Sequence, residues 1–457
     1  MSYSSLGSGQ AIKSIDEIED FFDKENIIDP RNGTLMEMDA LSLYCIAEFE
    51  SRPEIQERVI KAVFANLKAS RTKQFWCHNP WNCNEIHLRF TSSAIRLLLI
   101  DSTCSGQHFS YEMKENLLLK HLSYNEKLSR GTWFLHDSVE ASDMDYPSPH
   151  ILNRKLGSSE GNMLILNTHI DTLITCLIYN REKKSNIINN KVNEGLIALD
   201  FFIEGSKNIP KPIQALEHVC RKLMFSLIGK KKLTQRLLGR VIKELYYFRL
   251  RLFLKKKWNF YFFDDGYTER DLCLKVPNFE YHLVNIWDIS RFLNWVLLDK
   301  TYSNNLKNLD LLKSILLKGL DYALSDDFFQ ILKRSSVSDA MLSQLLETII
   351  LTARLGLIKE KYITTFFHYR GEVAPSPGLL GFDPVISGVN YLRKIQRIKK
   401  EIKYIGNLDI IPFPDDTFLL INFDNIEIDL DKVPYKCVWS SKSVNKVIPP
   451  NTMTLFK

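Results

Sequence analysis

A chain of 457 residues is about three times a typical domain length, so one large domain or two to three smaller ones are allowed. With 45% hydrophobic and 25% charged residues it has an ordinary globular balance, which excludes wholesale disorder, collagen-like repeats and coiled-coil composition. The net charge of +6 is not spread evenly: residues 221–257 hold 13 Lys or Arg and a single acid, Glu244, so an anionic partner is expected there.

Only 19 Gly and 16 Pro punctuate the chain, which favours long helices joined by short turns. Residues 1–11 read as a polar tail within a lead-in over 1–33. From Thr34 the pattern is helical: Leu35, Met38, Leu41, Tyr44 and Ile46 recur at helix spacing. Pro53 restarts a helix near its first position, with Glu54 and Glu57 in the first turn and Val59, Val63, Phe64 and Leu67 as its inner stripe. Further helices are predicted over 85–100, 110–121, 163–179, 187–202, 212–227, 233–254, 282–298, 306–324, 339–355 and 385–402. No exact repeat period joins them. The tail changes character, alternating apolar and polar residues over 408–413, 417–423 and 426–430 between Asp-rich turns. The expectation is a mainly α body of about twelve helices over 34–402 and a small β appendage over 403–457.

Four segments mix His, carboxylate, amide and aromatic side chains at what read as helix starts. The first runs over 75–89 and includes Trp81, His87 and Arg89. The second covers 131–140, with Trp133, His136 and Asp137. The third is Leu166-Asn167-Thr168-His169-Ile170-Asp171-Thr172-Leu173. The fourth holds Tyr267, Glu269, Arg270 and Asp271, then Tyr281, His282 and Asp288. Flat rings that stack on sugars, beside polar groups that fix hydroxyls, are what a concave sugar site needs.

About a dozen paired helices with such loops and a short β tail resemble the (α/α) toroids of carbohydrate-active enzymes. These include polysaccharide lyases, uronate epimerases and unsaturated-glucuronyl hydrolases. The Asn167-Thr-His169 step is similar to the Asn and His that toroid lyases place in a central cleft. The large β-sandwich of the lyases is missing, and no Tyr follows His169 at an unambiguous family spacing. The resemblance implies an enzyme acting on an acidic, uronic-acid-containing glycan by lyase, epimerase or hydrolase chemistry.

Removing a proton α to a uronate carboxylate requires that carboxylate to be neutralised, here by Asn167 or Arg270. A base then takes the proton, here His169 or His282, and a phenol such as Tyr267 or Tyr281 protonates the leaving oxygen. Glycoside hydrolysis would instead use two carboxylates, drawn from Asp137, Glu140, Asp171, Glu269, Asp271 and Asp288. His136 and Asp137 join the catalytic candidates, with Trp81, His87, Arg89, Trp133, Asp171, Asp271 and Asp288 as substrate-binding candidates. Each has a plainer reading as a core residue, a helix cap or a structural ion pair.

No metal or cofactor is expected. Cys77-x5-Cys83-x3-His87 with Cys104-x3-His108 has zinc-ligand chemistry but not the spacing of a tight knuckle. No Walker loop, Gly-x-Gly-x-x-Gly or Gly-x-Ser-x-Gly occurs, so nucleotide, dinucleotide and esterase functions lose support. The basic segment 221–257 interleaves its cations with leucines. It reads as a solvated helix face, a contact for an acidic glycan, or an anionic membrane surface. Nucleic acid is not expected, because no recognised module accompanies the charge. The alternative to an enzyme is a non-catalytic helical scaffold binding an anionic glycan, membrane surface or partner protein through this segment. The polar, acidic N-terminus has no signal-peptide pattern and the thiols are scattered, so a cytoplasmic location is expected, at most peripheral to the inner face of the membrane.

Overall fold

The computed structural model of the chain describes residues 52–70, 88–104, 110–136, 163–227 and 233–370, the last with breaks at 259, 273–275 and 333–337, together with short stretches over 3–12 and between 397 and 456. The described residues are mainly helical. The predicted helices over 34–47 and most of 385–402 lie outside them.

Helices α1 (Pro53–Ser70), α2 (Leu88–Cys104) and α3 (Tyr111–Leu122) come first. Pro53 does open α1, where its missing N–H costs nothing. The Ser110 hydroxyl starts α3 by accepting from the Met113 N–H at 3.3 Å. Helices α4 (Leu166–Glu182) and α5 (Asn186–Ser206) follow, then α6 (Lys211–Leu227), α7 (Leu233–Ile242), a π-helical stretch (Lys243–Leu250) and α8 (Arg251–Lys257). The body ends with α9 (Phe279–Val296), α10 (Lys300–Asn305), α11 (Leu309–Ala323), α12 (Asp326–Leu332), α13 (Ser338–Arg354) and α14 (Glu360–Arg370).

The packing order is regular. Helices α2, α4, α9 and α13 lie side by side in that sequence, and each is backed by a helix that comes soon after it in the chain: α3, α5, α11 (beyond the short α10) and α14. The central helices are therefore enclosed on nearly all sides, and α4 is buried from Leu166 to Asn180. One apolar core joins both rows, from Ile55 and Leu98 through Leu173, Phe292 and Leu346 to Phe366.

Three departures from the sequence pattern have physical reasons. The predicted helix over 233–254 is interrupted by the π-helical stretch, whose wider turn sets the consecutive Tyr246 and Tyr247 both inward. The short α10 and α12 carry too few turns to show a period. The second predicted helix start, around Gly131, is instead a β-hairpin pairing Asn125–Lys127 with Thr132–Phe134. The tail is β as expected: Leu408–Pro412, Phe418–Asn422, Thr452–Phe456 and Cys437–Ser440 form an antiparallel sheet in that spatial order, with Ile410 opposite Leu420 and Leu420 opposite Thr454.

Two glycines fix the loops that enter the central row. Gly131 (φ +80°) lies against the backbone of Glu194 and Ala198 in α5, and Gly266 (φ +96°) lies against the Lys318 carbonyl in α11. A Cβ at either would collide with main chain in a conformation L-residues avoid. Gly266→Ala is expected to destabilise the fold by about 2 kcal/mol or more, read as a lowered denaturation midpoint. An unchanged midpoint would show that the loop relaxes away from α11.

Candidate functional site

The loops at these glycines build two matching clamps. In the first, the Phe134 N–H donates to Nδ1 of His169 at 3.0 Å, Nε2 donates to the Gly195 carbonyl at 3.2 Å, and the ring lies flat on Trp133 at 3.9 Å. In the second, the Thr268 N–H donates to Nδ1 of His282 at 3.1 Å, Nε2 donates to the Gly319 carbonyl at 3.2 Å, and the ring stacks on Tyr267 at 5.4 Å. Each imidazole thus ties an incoming loop to a central helix and to the helix behind it. Accepting at Nδ1 and donating at Nε2 fixes the neutral tautomer. Burial pushes both rings down to about 3, so neither exchanges a proton near neutrality.

This geometry gives both histidines a structural role where the sequence reading expects a base. Tyr267 is likewise committed: its hydroxyl donates to the Asn278 carbonyl at 3.0 Å, and burial, reinforced by Glu269, pushes its phenol well above the ordinary range. His169→Ala is expected to cost about 1–3 kcal/mol of stability, because it orphans the Phe134 N–H and the Gly195 carbonyl. Thermal melting reads this directly, and an unchanged melting temperature would remove the strut assignment.

A charged cluster lies deeper, on three adjacent central helices. Arg89 of α2 makes a two-pronged pair with Asp288 of α9, at 2.6 and 3.1 Å, and donates to the Asn167 carbonyl of α4 at 3.1 Å. Arg96, two turns further along α2, holds Asp171 of α4 at 2.8 Å and the Thr175 hydroxyl at 2.8 Å. Nη1 of Arg291 bridges Asp171 Oδ1 at 2.8 Å and Asp288 Oδ1 at 3.0 Å, so one guanidinium nitrogen ties the two carboxylates together. Burial opposes ionisation of both acids, but their outcomes differ. At Asp171 the charges of Arg96, Arg89 and Arg291 outweigh burial and hold the carboxyl well below the usual range. At Asp288 burial prevails and the carboxyl is pushed up.

The remaining candidates gather around this cluster. The Leu88 N–H donates to the His136 carbonyl at 2.9 Å, and His136 Nδ1 meets the Thr168 hydroxyl at 2.6 Å, so His136 stands where α2 and α4 begin. Along α9, Tyr281, Asn285 and Asp288 are spaced to share one face. The Arg270 guanidinium lies 4.5 Å from the centre of the half-buried Tyr281 ring. Buried Asn285 donates to the Glu269 carbonyl at 2.8 Å and leaves its Oδ1 without a partner. Trp287 takes the guanidiniums of Arg291 and Arg89 at 4.5 and 5.7 Å from its ring centre. The third and fourth sequence segments meet directly: the Leu166 N–H donates to the Arg270 carbonyl at 3.0 Å and the Leu272 N–H to the Met163 carbonyl at 3.3 Å.

Glu269 is drawn elsewhere. It pairs with Arg251 of α8, which also holds Glu217 of α6 at 3.0 Å, while Asp271 offers its carbonyl to Lys255 at 3.4 Å. The Glu269 carboxylate and the main chain at Asp271 fasten the α6–α8 unit to the body, while the Asp271 carboxylate pairs with Arg270 at 3.5 Å. Trp81, His87 and Asp137 lie outside the described residues, as do Cys77, Cys83 and His108 of the zinc alternative. Sequence reasoning missed Arg96, Arg291 and Glu217. The signal was present in Arg89 and Arg96, seven residues apart on one face of a helix whose centre, Ala94 to Ile100, is otherwise apolar.

No family model, curated protein or solved structure matches this chain.

Proposed function

We propose that the helical body is an (α/α) toroid enzyme acting on an acidic, uronic-acid-containing glycan where the central helices begin. The observation that carries this reading is the Asp171–Asp288 pair. Two buried carboxylates share one guanidinium, and their proton affinities are driven in opposite directions. Carboxyls pushed apart in this way divide into an acid and an ionised partner. In this reading Asp288 gives a proton to the leaving oxygen and Asp171 stays charged. Arg270, with Tyr281 stacked beneath it, receives the uronate carboxylate at the half-buried entrance. His136 takes the base role that His169 and His282 cannot fill. Lyase and epimerase chemistry draw on His136 and the Tyr281 phenol, whereas hydrolysis draws on the two aspartates.

The test is turnover of uronic-acid oligosaccharides. Chain cleavage with an unsaturated product marks a lyase, new reducing ends without unsaturation mark a hydrolase, and inversion without cleavage marks an epimerase. Arg270→Gln is expected to weaken substrate binding about tenfold or more, measured on the folded fraction because the change also removes the Arg270–Asp271 pair. Neither turnover nor binding of any acidic oligosaccharide by the folded chain would overturn the reading.

A second reading, a non-catalytic scaffold, is favoured by one observation: among the described residues, most of the exposed large hydrophobic side chains lie on the basic α6–α8 unit rather than near the aspartates.

A further inference from the structure

Helices α6 and α7 pack against each other, and the two ends of α6 differ sharply. The root is fastened by buried charge. Glu217 of α6 takes Arg251 at 3.0 Å, Arg251 also pairs with Glu269 of the body, and Arg221 pairs with Asp265. At Glu217, burial is outweighed by Arg251 and Arg221, which hold the carboxyl below its ordinary value. Beyond this root Phe225 is the last buried side chain of α6, and α7 has no buried residue along its whole length.

The outward side chains are not those of an ordinary solvated helix. Ten of the fifteen exposed large hydrophobic residues among the described residues lie between Leu216 and Phe253, so the unit concentrates surface that water disfavours. Leu233, Leu237 and Val241 follow one another at four-residue steps and are 71%, 49% and 51% exposed, which makes a continuous aliphatic stripe along α7. Arg236 and Arg240 on the same helix, and Lys243 at the start of the π-helical stretch that continues it, are all exposed and stand beside that stripe. Three of the thirteen cations of 221–257, namely Arg221, Arg251 and Lys255, are consumed in the buried root. The only acid in the segment is Glu244.

We infer that the α6–α7 pair is a docking arm for an anionic lipid surface. The stripe enters the boundary between headgroups and acyl chains, and the flanking guanidiniums and ammoniums lie on the phosphates. Each feature selects this occupant. An acidic glycan would satisfy the cations but leave the leucines in water. A second copy of the chain would cover the leucines but bring two cationic arms together. A bilayer surface with anionic headgroups satisfies both at once. No described helix is long and apolar enough to cross a membrane, so the arm lies on the surface. The inference does not rest on the glycan reading, and it uses none of the residues placed near Asp171 and Asp288.

The experiment is flotation of the full chain with phosphatidylcholine vesicles with and without about one third phosphatidylserine, at low and physiological salt. Binding is expected only to the phosphatidylserine vesicles and is expected to weaken as salt rises. Leu237→Glu with Val241→Glu, and separately Arg236→Glu with Arg240→Glu, are each expected to reduce binding about tenfold or more. Melting temperatures should not change, since these side chains are exposed. Equal binding to both vesicle types, no binding to either, or charge-reversal variants that bind normally would overturn the inference. So would sedimentation as a dimer that the Leu237→Glu, Val241→Glu variant abolishes, since that would assign the stripe to a second copy. Capture of an acidic protein in place of vesicles would also count against it.

Discussion

Acidification from about pH 7 to about pH 4.5 is expected to destabilise the fold steeply, before most carboxylates protonate. Among the described residues, His121, His169 and His282 are enclosed and held neutral by burial. Burial pushes His121 down to about 4, and His169 and His282 down to about 3, from an ordinary value near 6.5. Between those values the unfolded chain takes up a proton at each site and the folded chain does not. Stability from these groups is therefore complete above about pH 6.5 and declines as pH falls, by as much as about 1.4 kcal/mol per pH unit for each ring. Denaturant midpoints measured from about pH 7.5 to about pH 4.5 should show a slope approaching three protons. His169→Gln and His282→Gln should each lower that slope by one. A flat profile above pH 5 would mean that water reaches these rings in the folded chain.

The second large effect concerns the charged cluster. Asp171→Asn is expected to cost about 3–5 kcal/mol at neutral pH, because Arg96 and Arg291 would each lose a charged partner while remaining largely buried. The depressed carboxyl of Asp171 contributes stability above the ordinary Asp value, near 3.9, and loses it as pH falls below that. This window lies under the histidine window, so the two effects separate on a pH scale. Replacing Arg291 by Met in the Asp171→Asn background should cost less than the sum of the single changes, since it removes one of the stranded cations. Strict additivity in denaturant melts would show that Asp171 and Arg291 are not coupled.

Most of the helical body was legible because an amphipathic helix writes its burial into a 3.6-residue period. Helices α2 to α6, α9, α11 and α13 begin or end within a few residues of their apolar stripes. The β tail was legible for the same kind of reason, a period of two. The hairpin at Gly131 was not. Its strands are three residues long, too short to alternate, and its decisive contact is between Gly131 and the distant backbone of α5. Helix α14, Glu360–Arg370, carries Ile363, two threonines and several aromatics, which weakens its local helix preference, and tertiary packing of Tyr362, Ile363 and Phe366 supplies what propensity does not.

For the site, the sequence determined which segments hold unusual chemistry: His, Asn and acids inside apolar helices cost free energy unless something satisfies them. It also marked residues 221–257 as a cationic, leucine-rich surface, since charge and period are local properties. Only the tertiary structure decided what satisfies each group. His169 and His282 look alike as exposed catalytic bases or as internal struts until the Gly195 and Gly319 carbonyls are found against them. Asp171 and Asp288 are 117 positions apart, and Arg291 joins them only because α4 and α9 pack side by side. Hydrophobic periodicity records which face of a helix is buried. Hydrogen bonds between helices depend on which faces meet, and that is fixed by the packing of the whole chain.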